Sequence, residues 1–474
     1  MIVTEVSEVS EVPDAYEPMY GIGATLIAEQ LVARYQHRHM YVVGVGWYSW
    51  DGTRWADDNG TGTDSIHHRI HVVARELTAE SASATSADER RAMQKAANRV
   101  LDRAGEAAAI AEGVLRYHPE IAVTANQLDA DPYLLNVANG TLDLHTLELR
   151  DPDPRDRITK VTRAAWRPDI PAPSWDGFLT SALDDTDLID ALARCVGGLG
   201  LPGRVEGVHI FPVFYGPGGS GKSTCTESIR YALGDYAITG SDDLIVGNGS
   251  HPTAAMDLLG ARLVIVGETE DGGRINAALV KRLTGGDQIR ARRMYRDFIE
   301  FEPSHLLMLH TNHLPAVTNG GDSGLWRRLY VVPFTRPPQN PDSNLGTRLR
   351  EEADGILTWL VRGLVDFRQR GGIEWPQAVT EATGRYRQDA DNLGAFLDET
   401  TETCPPQVGC IPSGEAYARW CEWVKVNGDG RIKAGRRQDF RRALEQRGEV
   451  IDDMRTGGSR SVIRGRRWIQ DDPT

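Results

Sequence analysis

An α/β fold built on a parallel sheet, with an α+β domain before it and a small basic domain after it, is what the sequence predicts, on three observations. Apolar runs of strand length at residues 209–215, 262–267, 306–311 and 329–334 alternate with helical segments, the pattern of strands covered on both faces by crossover helices. A glycine-rich segment stands between the first of these runs and a helical pattern at 224–233. Charge is unevenly spread: the 474-residue chain has a formal net charge of −14, yet residues 431–467 carry twelve Lys+Arg against five Asp+Glu.

In chain order, residues 1–17 contain five acidic residues, no basic one and a Glu-Val-Ser repeat without core periodicity, which predicts a disordered tail. Residues 18–165 read as an accessory α+β domain. It has a helix at 24–35, an aromatic strand pair at 41–55 turning at Trp50-Asp51-Gly52-Thr53, one or two amphipathic helices at 87–116, and a hairpin at 133–149 turning at Asn139-Gly140. The Pro-rich stretch 166–173 opens a linker with short helices, 166–204. The sheet domain follows at 205–335; Pro212 has no N–H for a ladder and so predicts a bulge or an edge position in the first strand. A surface loop at 336–341 and an amphipathic helix at 344–370 belong to a helical extension, 336–411. Helical residues 414–426 and 436–446, then strand-like residues at 460–469, predict a winged-helix-like domain at 412–474.

Hydrophobic residues make up 40 % of the chain, enough for two to four cores. No apolar run approaches the roughly 18 residues that span a bilayer. The start Met1-Ile2-Val3-Thr4-Glu5 lacks a signal-peptide pattern, so the expectation is a cytoplasmic protein without a membrane partner. Cys195, Cys225, Cys404, Cys410 and Cys421 show no C-x-x-C spacing, which predicts reduced thiols and argues against a zinc ribbon or disulfide framework. The acidic total argues against a protein that coats nucleic acid along its whole surface and leaves room for local basic sites.

Gly216-Pro217-Gly218-Gly219-Ser220-Gly221-Lys222-Ser223 matches G-x-x-x-x-G-K-[ST] in its required setting, after an apolar run and before a helix that Thr224 opens. Glycines let the backbone wrap so that successive N–H groups face phosphate, while Lys222 reaches the β and γ oxygens and Ser223 ligates Mg²⁺. ATP with Mg²⁺ is the expected ligand. Hydrolysis also needs a metal-holding carboxylate and a group that orients water at neighbouring strand ends. The run 262–267 ends in Glu268-Thr269-Glu270, where Glu268 is a second metal contact and either acid can polarise water. The run 306–311 ends in Asn312, an amide suited to the attacking water or the γ-phosphate. Between these, Arg290, Arg292, Arg293 and Arg296 surround Tyr295 in a predicted β-hairpin, combining phosphate-neutralising charge with a ring for stacking on single strands. Arg436, Arg437, Arg441 and Arg442 form a second basic flank on a predicted helix.

These residues resemble the superfamily 3 helicases, in particular the helicase module of phage and plasmid primase–helicase proteins related to the poxvirus primase–helicase. The likeness rests on residues 216–223, on Asp257-Leu258-Leu259-Gly260-Ala261-Arg262 leading to Glu268 and Glu270, and on Leu279-Val280-Lys281-Arg282-Leu283-Thr284-Gly285-Gly286-Asp287. Thr311-Asn312-His313-Leu314-Pro315 and Trp326-Arg327-Arg328 before Val332-Pro333-Phe334 complete it. The resemblance implies an AAA+-like ATPase domain in a ring, expected to be a hexamer, with ATP between subunits. It also implies a neighbour's arginine finger, Arg327 first and Arg328 second, and a hairpin directed at DNA in a central channel. Only about 20 residues stand where larger relatives have a primase catalytic domain, so primer synthesis is not expected and a separate primase or polymerase is the implied partner. The function expected is an ATP-dependent DNA helicase of phage-type replication acting on single-stranded or forked DNA. Its rivals are a motor that remodels protein or duplex DNA without strand separation, and a replication scaffold whose ATP site controls assembly only.

Overall fold

The structure, a computed structural model, describes residues 22–58, 66–203, 207–246, 252–267, 274–317, 322–338, 342–427, 434–454 and 460–469. Two compact units emerge: one ends at Leu128 and takes in Pro154–Thr159, and the second comprises Asp129–Asp153 and the chain from Lys160 onward.

In the first unit, helices Ile22–Tyr35, Ile66–Glu80, Ala87–Asp102 and Ala104–Leu115 enclose a core of Ile27, Leu31, Ile70, Leu77, Val100 and Leu115. The pattern at 87–116 resolves into two helices with a break at Arg103, and the first is N-capped by Ser86, whose hydroxyl accepts from the Glu89 N–H. The aromatic pair is a hairpin, Gly46–Trp50 with Trp55–Asp57. Its turn is fixed by the Asp51 carboxylate, which accepts from the N–H groups of Thr53 (2.8 Å) and Arg54 (2.9 Å).

The second unit holds the parallel sheet: β1 (Phe211–Tyr215), β2 (Ala237–Gly240), β3 (Leu263–Val266), β4 (Leu306–Thr311) and β5 (Leu329–Pro333), in spatial order β5-β1-β4-β3-β2. Four of these strands are those predicted; β2 is additional. It is four residues long, lies at the edge and pairs with β3 alone, so it lacks the long apolar run of an enclosed strand. Pro212 corrects its expectation, because β1 is an interior strand and its pairing with β5 runs through Pro212 without a bulge. The Phe211 N–H points to β5, where it donates to the Arg328 carbonyl. Residue 212 then faces the β4 side, where pairing begins only at Val213, and the missing N–H falls outside that ladder.

The hairpin in Asp129–Asp153 pairs Leu134–Val137 with Gly140–Asp143. Its two turn residues are Ala138 and Asn139, one position before those expected, and Gly140 is the first strand residue. A Cβ at Gly140 would stand 2.6 Å from the Arg150 carbonyl oxygen, which explains the glycine. Helix Thr186–Gly200 crosses helix Ala353–Arg370 at close range: Cβ atoms at Gly197 and Gly363 would meet the carbonyl oxygens of Leu360 and Ala193 at 2.1 Å. The expected helix at 344–370 is interrupted at Glu352, whose carboxylate accepts from the Ser174 and Trp175 N–H groups.

Toward the carboxyl end, helices Asn392–Thr400, Ser413–Asn427 and Arg437–Gln446 pack on a three-stranded antiparallel sheet ordered Cys410–Pro412, Arg460–Arg464, Val450–Met454. Phe396 and Leu397 share its core with Ile411, Trp420, Phe440 and Ile463, so helix Asn392–Thr400 packs with residues beyond 412.

His305, just before β4, is 4 % exposed, and neither ring nitrogen has a hydrogen-bond partner among the described residues. Burial lowers its pKa from 6.5 to about 4, so the fold keeps it neutral where the unfolded chain takes up a proton. Stability should be full above pH ~6.5 and fall as the pH drops toward ~4, by about 3 kcal/mol in all. Denaturant midpoints measured across that window should show the slope in the parent protein and lose it in His305→Leu.

Candidate functional site

Strand order builds the site. The register pairs Thr311 of β4 with Tyr215 of β1, so Asn312 follows level with Gly216, at the carboxyl ends of the two central strands. This is the crevice where parallel sheets bind ligands. A Cβ at Gly216 would lie 1.8 Å from the Phe334 carbonyl oxygen, and Gly219 and Gly221 have φ of +76° and +97°, conformations that side chains resist. Helix Lys222–Leu233 starts directly after this loop.

Lys222 is only 4 % exposed. Its Nζ donates to the carbonyls of Gly216 (2.7 Å) and Pro217 (2.9 Å), to the Ser220 hydroxyl (3.3 Å) and to Asn312 Oδ1 (2.7 Å). The expected loop lysine and strand-end amide, 90 residues apart in sequence, therefore meet. Pro217, Gly218, Gly219 and Ser223 are exposed beside them, while Thr224 is half-buried. His310, unremarked in the sequence, lies behind: its Nδ1 is 3.2 Å from Thr226 Oγ1, and its Nε2 is 3.5 Å from where a Cβ on Gly267 would sit. β3 ends at Val266, so the predicted acids Glu268 and Glu270 lie outside the described residues. Cys195 and Cys225 are buried, and burial pushes both thiols up, which makes them unreactive.

The two candidate finger arginines differ sharply. Both follow the short helix Ser323–Trp326, N-capped by Asp322 through the Leu325 N–H (3.1 Å). Arg327 is exposed, and its guanidinium makes no ion pair among the described residues. Arg328 is 7 % exposed and turns inward, donating to the Gly324 carbonyl at 2.7 Å; burial, with the charge of Arg327, lowers its pKa. Arg327 is thus the one placed to reach another molecule. Asp322 and its partner Lys281 (2.8 Å) were not among the expected site residues; the signal was an Asp opening a short helical pattern.

The predicted hairpin is present, Ile289–Ala291 pairing with Ile299–Phe301. Tyr295 stands at its turn, 97 % exposed at φ +60°, with Met294 67 % exposed beside it. The guanidinium carbons of Arg290 and Arg292 lie 4.4 and 4.6 Å from the Phe298 ring centre, so an unforeseen aromatic holds the arginines along the hairpin. Arg296 is exposed and Arg293 half-buried. In the carboxyl-terminal helix the expected basic flank is partly engaged: Arg436 pairs with Asp439 (3.1 Å) and Arg441 with Glu445 (2.9 Å), while Arg437 and Arg442 are exposed. No helix among the described residues is long and apolar enough to cross a membrane.

Two family models match: "D5 N terminal like" over residues 28–184, and a family of unknown function, DUF5906, over residues 214–328. The second interval contains the glycine-rich loop, the hairpin, Asn312 and both finger candidates. A protein of Acanthamoeba polyphaga mimivirus named as a putative helicase is 28 % identical over 369 residues, covering 71 % of this chain and 37 % of that protein. A protein of Frog virus 3 with the same kind of name is 26 % identical, over 51 % of this chain and 26 % of its own. One of African swine fever virus named as a putative primase is 23 % identical, over 63 % and 34 % respectively. The chain spans about a third of the length of these curated relatives. Among solved structures, the carboxyl-terminal region of NrS-1 covers 64 % of this chain and 78 % of its own at 12 % identity, with a TM-score of 0.39, too low to bear on the fold. In its D5 N-terminal-like segment and its second matched domain, and in its similarity to these viral proteins, the chain resembles phage- and virus-type primase–helicase proteins.

Proposed function

We propose that this chain is an ATP-dependent DNA helicase of viral-type replication, a ring-forming P-loop ATPase that translocates on single-stranded DNA. The observation that carries the reading is the Lys222–Asn312 contact at the mouth of the glycine-rich loop. An ammonium held by three oxygens of its own loop and one amide oxygen can exchange them for phosphate oxygens without moving far. In this reading the backbone N–H groups of 218–221 and the helix start hold the phosphates, and Asn312 orients the attacking water. Glu268 or Glu270 polarises that water, and Arg327 reaches the site of the next subunit to stabilise transition-state charge. The exposed Ser223 hydroxyl fits a magnesium ligand, and Mg²⁺ held there with Glu268 would neutralise phosphate charge.

The hairpin tip supplies the DNA contact, with Tyr295 for stacking and Arg290, Arg292, Arg293 and Arg296 for phosphates. Arg437 and Arg442 of a winged-helix-like domain are a second contact. Replacing both Arg292 and Arg293 by Gln should weaken single-strand binding across sequences. It should also reduce the slope of log K against log salt by about 1.4, roughly 0.7 for each lost phosphate contact; fluorescence anisotropy at several salt concentrations measures it, and an unchanged slope removes these residues from the DNA site. The reading as a whole is tested by ATP turnover with and without single-stranded DNA, alongside strand separation on a forked duplex. Turnover indifferent to DNA would favour a motor acting on protein or duplex DNA.

A further inference from the structure

The ion pair between Lys281 and Asp322 joins two pieces of machinery. Lys281 sits on helix Ala277–Leu283, the element that leads directly into the first hairpin strand, Ile289–Ala291. Asp322 caps the short helix that Arg327 and Arg328 follow. Their 2.8 Å contact is partly shielded, with side-chain exposures of 37 % and 19 %. The Lys281 stem packs on the same turn: a Cβ at Gly324 would lie 3.1 Å from Lys281 Cδ, so that position has little room for a side chain. Opposite, Trp326 rests edge-on against Tyr386 at 5.2 Å, and Arg328 grips the Gly324 carbonyl. The arginine turn is therefore fixed by its own cap, by an aromatic contact and by one cross-link toward the hairpin.

We propose that Lys281 and Asp322 are positioning residues that hold the Arg327 turn and tie its placement to the DNA-facing hairpin of the same subunit. The ion pair transmits hairpin displacement to the arginine offered to the neighbouring ATP site. In this role both residues act through the Arg327 turn and the hairpin rather than on nucleotide or DNA themselves. The coupling half of this inference rests on the helicase reading above; the positioning half does not.

The test uses the full chain with Lys281→Met, Lys281→Arg and Asp322→Asn, the last keeping an N-cap while removing the charge. Hydrogen exchange of the 322–328 amides should quicken about tenfold in Lys281→Met and Asp322→Asn and stay near parental in Lys281→Arg. DNA-stimulated kcat should fall about tenfold in the first two, as expected for a typical coupling between sites, with KM for ATP and single-strand affinity unchanged within about twofold. Unchanged amide exchange in Lys281→Met would overturn the positioning role. A kcat loss that tracks a loss of DNA affinity in Lys281→Met alone would make Lys281 a DNA ligand and overturn the coupling. If the parent protein shows no DNA-stimulated turnover, the helicase reading and the coupling fall together, and the exchange measurement still decides the positioning role.

Discussion

Lys222→Ala should reduce ATP turnover by ~100-fold or more, to the level of a preparation without enzyme, because it removes the one buried ammonium at the loop. Among the described residues four acceptors lose a shared donor, yet the loop carbonyls and the Asn312 amide border exposed residues and regain water. The variant should therefore fold, with a far-UV spectrum and Tm near parental. A steady-state phosphate-release assay reads the loss, and retention of turnover would remove this loop from the chemistry.

Arg327→Ala should behave differently. The side chain is exposed and makes no ion pair among the described residues, so stability and ATP binding should be unchanged. Turnover should fall by ~10³-fold, the lower end of what arginine fingers contribute. Mixing Arg327→Ala with Lys222→Ala subunits should restore part of it, since some interfaces then combine an intact loop from one subunit with an intact arginine from the other. Arg328→Ala should instead lower Tm, because its guanidinium bonds the Gly324 carbonyl inside the chain. Full activity in Arg327→Ala would sink the finger assignment, and absence of rescue on mixing would argue that the arginine acts within its own subunit.

Much of the sheet domain was legible because enclosed parallel strands must be apolar along their whole length. Residues 263–266 and 306–311 are such runs, and both are buried strands except for the half-buried His310. The edge strand Ala237–Gly240 escaped because an edge carries no such demand. Pro212 misled in the opposite way: a missing N–H matters only on the side where a neighbour pairs, and register is a tertiary property. The same holds for the arginines. The resemblance ranked Arg327 only just ahead of Arg328, and packing separated them, turning one outward and the other inward. In the basic helix, Asp439 and Glu445 were visible among and after the arginines, but only helical geometry showed them paired with Arg436 and Arg441.

What the sequence determined by itself was local: the glycine loop before a helix, the apolar runs, the Arg and Tyr cluster of the hairpin and the Asp51 turn. These follow from backbone conformations and burial patterns that reach a few residues along the chain. What only the tertiary structure decided was which ends meet. β4 enters the sheet between β1 and β3, and that insertion brings Asn312 to Lys222 and places the hairpin's helix against the Arg327 turn. Strand order is set by how the crossover helices pack over the whole sheet, a global balance of burial that no single segment encodes.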